Sequence, residues 1–562
     1  MSGLNSEYDV IVIGGGLNGL ACAAYLQKAG QKVAVFERRE EVGAHCTTEV
    51  LMAPGLKMNL HATFLLPHLG PATEELELER FGFEPVTSSE WACMHPFRDG
   101  TAFLRHISDA RKEYEAWKRI SPRDAEQYRR MINYLGTIWP DFLQLSVATI
   151  PTVETLSEFG EMISKTPGMP RDWRDMNGFQ VIDELFESDK VKAGLLALAT
   201  AQGVVPWHRG VSAFAPILGL AGGFGSWHAR GGSHALAHAV SRCFVHYGGA
   251  LFQGCPVVKI DVEAGEAKGV FLSRDAVYPE AHVRAGKAVV SDLTCYPTFI
   301  QLVGEDKLPP EVATAARAYD YNGQTLFTNY WALSEPAQWR SADGFPEVSD
   351  AFNFLFGVET PADLMRLAVD EMVDRPSDPP IAAGGCCQGY VQADPTQAPH
   401  GQFTLMTWSN VPYDIRPLGG PEKWDDIREE YGDKVEDLLA EYMPNLKRAK
   451  IARYVMTPLD IYRRNPSAIK GSWSGGNVSP TQFWHNRPFA GCGAPRTPIG
   501  KLYISNSIWP YSDSWLCCGG VAAQAVAEDL GVRNQDWWRH KSLDAYPRMC
   551  AKYGFEWHPT VD

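Results

Sequence analysis

Residues 8–39 read YDVIVIGGGLNGLACAAYLQKAGQKVAVFERR. Val10 to Ile13 form an apolar run of strand length that breaks into Gly14, Gly15 and Gly16. Leu17 to Ala29 read as a helix with alanines on its packed face, and a second apolar run, Val33 to Phe36, ends in Glu37. The pattern is G-x-G-x-x-G on Gly14, Gly16 and Gly19 between two strands, with an acid closing the second, which is a βαβ dinucleotide fingerprint. Gly14 admits the tight turn, Gly16 lets a pyrophosphate approach the backbone, and Gly19 lets the helix lie close on the sheet. The free N–H groups of the helix start, at Leu17 and Asn18, receive the phosphates. Glu37 is placed to accept hydrogen bonds from a ribose diol, which argues against a 2′-phosphate there. Because strand, helix and acid accompany the glycines, the stretch predicts a dinucleotide site rather than a glycine-rich turn.

Bulk properties narrow the rest. The 562 residues exceed one simple core and predict two domains or one large composite. Hydrophobic content of 45% and charge of 21% are those of a globular protein, and the net charge of −15 argues against a nucleic-acid partner. The opening MSGLNSEYD has neither a basic n-region nor an apolar h-region, so no secretory signal and a cytoplasmic location are expected. The longest apolar stretch, Gly210 to Trp227, is broken by Pro216 and several glycines, so no integral membrane segment is expected; peripheral membrane contact stays open. The twelve cysteines include the adjacent pairs Cys386/Cys387 and Cys517/Cys518 but no C-x-x-C. That spacing excludes a dithiol centre of the usual kind and a zinc ribbon, and reduced packing thiols are expected, with no metal. No oligomeric state follows.

Along the chain, Glu74 to about Pro216 reads as helical and too irregular for repeats. Ser233 to Tyr247 reads as a helix closed by Gly248–Gly249, followed by short strands at Leu251–Phe252, Pro256–Val262, Gly269–Leu272 and Ala288–Ser291. Strands at Thr325–Leu333 and Phe403–Trp408 and a helix at Trp424–Tyr442 come next, and the tail predicts a strand at Leu502–Ser505 and a helix from about Gly520 to Leu530.

Four segments in this order resemble the flavin-dependent phytoene desaturase superfamily, which includes carotenoid desaturases, carotenoid isomerases and retinol saturase. They are the fingerprint with Glu37-Arg38-Arg39; GGSHALAHAV at 231–240 with VVKIDVEAGEAKGV after it; DPTQAPHGQ at 394–402; and PRTPIGKLYISNS at 495–507 with its following helix. The resemblance spans Tyr8 to about Gly531. It implies an α/β fold with a discontinuous Rossmann-type FAD-binding domain (1–75, 220–305 and 455–562) and an inserted mixed α/β substrate domain with a helical portion (76–219 and 306–454). It implies FAD as cofactor, with Glu37 on the adenosine ribose, Arg38 and Arg39 along the adenosine half, and the Val258 backbone at the adenine. Gly43, Ala44 and His45, Asn506 and Ser507, and the helix start at Gly519, Gly520 and Val521 are further expected contacts. A helix N-terminus aimed at the flavin would favour the anion of its reduced form.

The chain departs from the family pattern twice. The usual Gly-Gly after the second strand is Gly43-Ala44, followed by His45, and the glycine triplet after the last strand is replaced by Tyr511, Ser512 and Asp513, flanked by Trp509 and Trp515. Tyrosine and aspartate fill the room a flat polyene needs, which favours a smaller, more functionalised substrate than a carotenoid.

Hydride removal by a flavin usually needs a nearby base or an already deprotonated substrate, and the candidates are Asp513, Tyr511, His45 and His61. Asp513 also suits a turn cap, Tyr511 a pocket wall, and the histidines hydrogen-bonded core positions. Trp473, Trp484, Trp509 and Trp515 are candidates for an aromatic-lined cavity. The one other glycine cluster, GLAGGFG at 219–225, lacks a preceding β-branched strand and a following acid, so no second nucleotide site for NAD(P) is predicted. The expected activity is FAD-dependent oxidation or desaturation of an apolar or aromatic small molecule, with electrons leaving to oxygen or a quinone-like acceptor. Redox-neutral isomerisation and a non-catalytic flavin-binding assembly role stand as alternatives.

Overall fold

The computed structural model describes residues 3–62, 65–87, 89–221, 227–323, 325–382, 386–387, 389–492, 495–509, 516–539 and 545–562. In chain order, the elements that position the site begin with β1 (Glu7–Ile13), α1 (Leu17–Lys28), β2 (Val33–Phe36), β3 (Trp91–Pro96) and β4 (Ala102–His106). Two long helices follow, α2 (Pro122–Val147) and α3 (Asp189–Ala201), then α4 (His234–His246) and the strands β5 (Ala250–Phe252), β6 (Val257–Glu263), β7 (Glu266–Leu272) and β8 (His282–Ser291). The remainder comprises β9 (Leu326–Leu333), β10 (Asn353–Phe354), β11 (Cys386–Cys387), β12 (Phe403–Asn410), α5 (Trp424–Tyr442), β13 (Lys450–Met456), β14 (Leu502–Ile504) and α6 (Cys517–Asp529).

The strands form two seven-stranded sheets. The first runs β6-β7-β8-β1-β2-β5, with β14 on β8. Its centre is parallel: β1 pairs with β2 and β8, β2 with β5, and β8 with β14. Parallel strands are buried on both faces, which is why VIVI and VAVF are continuous apolar runs rather than alternating ones. One face, with Val10, Val12, Val33 and Val35, packs against α1, α4 and α6. The other, with Ile11, Ile13, Phe36 and Val289, closes a separate core with Phe299 and Tyr319. This is the Rossmann-like architecture expected from the fingerprint.

The second sheet runs β13-β9-β12-β11-β10-β3-β4. Phe327 and Trp331 on β9 pack on Trp424, Tyr431 and Val435 of α5, while Tyr330, Met406 and Trp408 face Met58 and Leu60 from the amino-terminal region. The β3–β4 hairpin corrects the reading of 74–216 as helical throughout. Ala92 to Pro96 and Ala102 to His106 are buried at every position, so no exposed polar face marks the two-residue period of a strand. Arg105 on β4 is buried against Glu113 at 2.6 Å and also donates to the Gly219 and Leu220 carbonyls, which pins the helix Ala215–Ala221 to the hairpin. No helix among the described residues is long and apolar enough to cross a membrane.

Candidate cofactor cavity

A cavity of about 360 Å³ lies at the carboxyl ends of β1, β2 and β8, where ligands of open parallel sheets bind. Ile13, Gly14 and Gly16 form its floor, and Phe36, Glu37, Arg38 and Arg39 line one end with Pro256 and Val257. Ala44 and His45 flank it, Asp292 to Thr294 enter from the end of β8, and Arg464 to Ala468, Trp473 and Asn506 complete the wall. The expected contacts Gly14, Gly16, Glu37, Arg38, Arg39, Ala44, His45 and Asn506 therefore converge on one space.

Glycine is required at the floor for steric reasons. A Cβ on Gly16 would lie 2.4 Å from Asp292 Oδ2, and one on Gly19 would lie 2.5 Å from the Gly14 carbonyl oxygen. Gly19 thus serves helix-to-strand packing, and Gly16 the open space beside the turn. Glu37 is buried and accepts from the Gly15 N–H at 2.7 Å through one oxygen and from the Arg39 N–H at 2.8 Å through the other. A carboxylate has about four acceptor sites, so two remain for a diol. Burial raises the Glu37 pKa, opposed by the two backbone N–H groups and by Arg39 and Arg38.

Cations gather at the same end. Arg464 pairs with Glu49, and Arg39 approaches the same carboxylate at 3.8 Å. Burial, reinforced by Arg39, depresses Arg464 to about 10, so this pair of guanidiniums is poised for an anion. Asp292 accepts from Ser505 Oγ at 2.9 Å, and its carboxylate beside Gly16 suits ligand hydroxyls rather than phosphate. Thr294 donates twice to Ser467, from its N–H to the Oγ and from its Oγ1 to the carbonyl oxygen, which fixes the 465–468 segment over the end of β8.

The loop after β2 turns through two residues of positive φ, Gly43 and Ala44. Gly43 has φ +108°, and its N–H donates to the Gly15 carbonyl at 2.8 Å. Ala44 adopts φ +49°, a left-handed conformation that glycine takes freely and alanine does not. His45 and His61 meet edge to face with ring centroids 5.0 Å apart. Burial, reinforced by Arg464, holds His45 down at about 4; burial and the His45 ring hold His61 well below the usual imidazole value. Both imidazoles are therefore neutral near pH 7. His61 Nε2 is buried without a hydrogen-bond partner among the described residues.

Several expected contacts lie elsewhere. Val258 is 51% exposed on β6, and the neighbouring Pro256 and Val257 line the cavity instead. Leu17 and Asn18 are buried against the protein, and Asn18 Oδ1 accepts from the Gly519 N–H. Ser507 Oγ donates to the Gly475 carbonyl at 2.9 Å. Helix α6 starts at Cys517 rather than about Gly520, so Gly519, Gly520 and Val521 sit inside it, buried against α1. Cys517 and Cys518 are buried thiols within that helix, and desolvation pushes Cys517 up, so neither is an activated nucleophile. Asp513, Tyr511, Ser512 and Trp515 lie outside the described residues. Trp473 lines the cavity, whereas Trp484 packs tilted on Phe159 (5.0 Å between centroids) and on Trp509 (5.3 Å), and Trp509 meets Phe483 edge to face at 4.8 Å. Asp292 and Arg464 were not foreseen. A signal for Asp292 was its place directly after the apolar run Ala288–Ser291; nothing local marks Arg464.

Comparison with known proteins agrees with this geometry. A family described as "NAD(P)-binding Rossmann-like domain" matches residues 12–76. A limonene dehydrogenase component from Castellaniella defragrans is 29% identical over 550 residues, covering 95% of this chain and 96% of that protein. "Phytoene desaturase (lycopene-forming)" from Pseudescherichia vulneris is 22% identical over 506 residues, covering 88% and 93%. Among solved structures, an oxidoreductase from Methanosarcina mazei superposes with a TM-score of 0.57 at 17% identity, covering 92% of this chain and 99% of that one. With the ordered segments and the Rossmann-like sheet, the two near-full-length sequence likenesses support the desaturase-like oxidoreductase superfamily, and the chain is an enzyme of the oxidoreductase kind.

Proposed function

We propose that this protein is an FAD-dependent dehydrogenase or oxidase that oxidises or desaturates an apolar or aromatic small molecule, with oxygen or a quinone-like compound as electron acceptor. The observation that carries the reading is the composition of the cavity along its length. Its lining holds a buried acid, three arginines, a glycine turn at which a Cβ on Gly16 would meet the Asp292 carboxylate, and Trp473 with Asn506. Those features fit FAD. Bound there, FAD supplies a hydride acceptor. Glu37 would hold the ribose hydroxyls, Arg39 and Arg464 would offer positive charge to the diphosphate, and Asp292 would accept from ligand hydroxyls. His45 lines the cavity with an uncharged ring, which suits an apolar reactant, and His61 beside it has Nε2 open to a hydrogen bond.

We assign residues 1–75, 220–305 and 455–562 to the cofactor part and 76–219 with 306–454 to the substrate part. Asp513, as proton acceptor, and Tyr511, as pocket wall, stay in the proposal on sequence grounds. The relative named for limonene supports a small terpenoid or similarly sized hydrocarbon as the substrate class, in line with the Tyr-Ser-Asp replacement of the glycine triplet.

The test is anaerobic absorbance of the purified protein against terpenoid, aromatic and amine compounds. Bleaching of the flavin band by one compound, reversed by air or by a quinone, is the expected result. Bound FAD that no compound bleaches, with product of unchanged oxidation state, would replace this reading by isomerisation.

A further inference from the structure

The outer side of the loop after β2 carries a donor set that the cofactor reading does not use. His234 and His238 stand one turn apart on α4, the spacing that puts two side chains on one helix face. Their rings lie 4.1 Å apart, 35° from parallel. Glu41 faces them from the loop, with Oε2 3.5 Å from His238 Nε2 and 3.8 Å from His234 Nε2. One ligand atom from each of the three lies within 4.8 Å of the others.

These separations are long for hydrogen bonds but close to those of atoms sharing an ion. Two donors each about 2.05 Å from a tetrahedral zinc ion stand about 3.3 Å apart. Glu41 and His238 are reachable from solvent, with side chains 57% and 38% exposed.

We propose that Glu41, His234 and His238 form a three-ligand site for a zinc-class divalent cation, with water in the fourth position. Two imidazoles and a carboxylate are a donor set of intermediate softness that favours zinc over magnesium. His234 Nε2 now bonds the Val42 carbonyl at 2.8 Å. Ligation takes that nitrogen as the lone-pair tautomer, moves its proton to Nδ1 and releases the Val42 carbonyl. The cation thereby acts on the loop itself. Glu41 becomes tied to α4, while two residues further on Gly43 is bonded to Gly15, and Ala44 and His45 line the cavity. The site clamps the cofactor loop from outside.

The test is titration of the purified protein, stripped with EDTA, with zinc chloride, followed by calorimetry and by competition with a zinc-binding dye. The expected result is one equivalent bound, a raised Tm and no comparable response to magnesium chloride. His238→Ala and Glu41→Gln are each expected to weaken binding at least about tenfold while keeping the wild-type circular dichroism spectrum and Tm without zinc. No stoichiometric zinc on the wild type, or wild-type zinc affinity in both variants, would overturn the site and leave an ordinary surface ion pair.

Discussion

Asn18, in the first turn of α1, accepts a hydrogen bond through Oδ1 at 3.1 Å from the N–H of Gly519, in the first turn of α6 and 501 residues further along the chain. The two helices touch so closely that a Cβ on Gly519 would lie 2.3 Å from the Asn18 carbonyl oxygen and 2.9 Å from Ala21 Cβ. The helix that carries the fingerprint and the helix that ends the tail therefore share one interface. Gly519→Ala forces them apart. Overpacking of this kind costs about 1–3 kcal/mol, so Tm should fall by several degrees, and flavin content should fall with it because the glycine-rich turn moves with α1. A Tm within one degree of wild type would show that the interface yields.

Gly16→Val tests the cavity floor directly. The added side chain meets Asp292 Oδ2 and occupies the space beside the turn. The purified variant should carry less than about a tenth of the wild-type flavin, with circular dichroism preserved. Stoichiometric flavin in that variant would place the cofactor elsewhere.

Glu37→Ala removes the acceptor for a ligand diol and leaves the Gly15 and Arg39 N–H groups without their partner. An unsatisfied buried donor costs about 1–3 kcal/mol. FAD affinity should drop about 10- to 100-fold, read by fluorescence of the released flavin, and Glu37→Gln should lose less because it keeps one acceptor oxygen. Unchanged affinity in both would remove Glu37 from the site.

Ala44→Gly addresses the strained loop. Alanine at φ +49° costs roughly 1–2 kcal/mol, while glycine returns about 0.4–1 kcal/mol to the unfolded chain. Stability should stay level or rise by up to about 1 kcal/mol, with tighter flavin binding because the backbone is freer to approach. Ala44→Val, β-branched at a left-handed position, should lose both. Thermal melts and flavin stoichiometry decide the pair.

Acid should unfold the protein through its buried histidines. Burial lowers His45 and His95 to about 4 and His68 and His228 to about 3. Their unfolded value is near 6.5, so below that pH the unfolded chain binds protons that the folded one refuses. Stability is full above about pH 7 and falls as pH drops through 6.5 toward 4 and 3, by about 1 kcal/mol per histidine at pH 5.5. Tm measured from pH 7.5 to 5 should decline steeply, and His68→Gln, which cannot take the proton, should flatten the decline. A Tm independent of pH over that range would contradict the neutral burial of these rings.

Much of this molecule was legible along the chain where local chemistry decides. Trp424 to Tyr442 is helical from end to end because its apolar residues recur at helical spacing and no proline interrupts it. Gly14, Gly16 and Glu37 announced the dinucleotide site because turn, close approach and acid are requirements of one short stretch. The β3–β4 hairpin was not legible, since strands buried on both faces carry no alternation. Nor were the roles of Gly519 to Val521, whose first turn reads equally well as a flavin contact and as a helix packed on another helix.

By itself the sequence determined a βαβ unit at the amino terminus, an acid closing its second strand and an α/β fold, because strand length, glycine spacing and side-chain size act over a few residues. Only the tertiary structure decided which distant groups share the cavity. Asp292 arrives there because β8 lies parallel to β1, and Arg464 because its segment is tied across the end of β8 by Thr294 and Ser467. Glu41 meets His234 and His238 only because α4 packs beside α1 and the loop after β2. Such meetings depend on packing between elements hundreds of residues apart, and no local propensity encodes them.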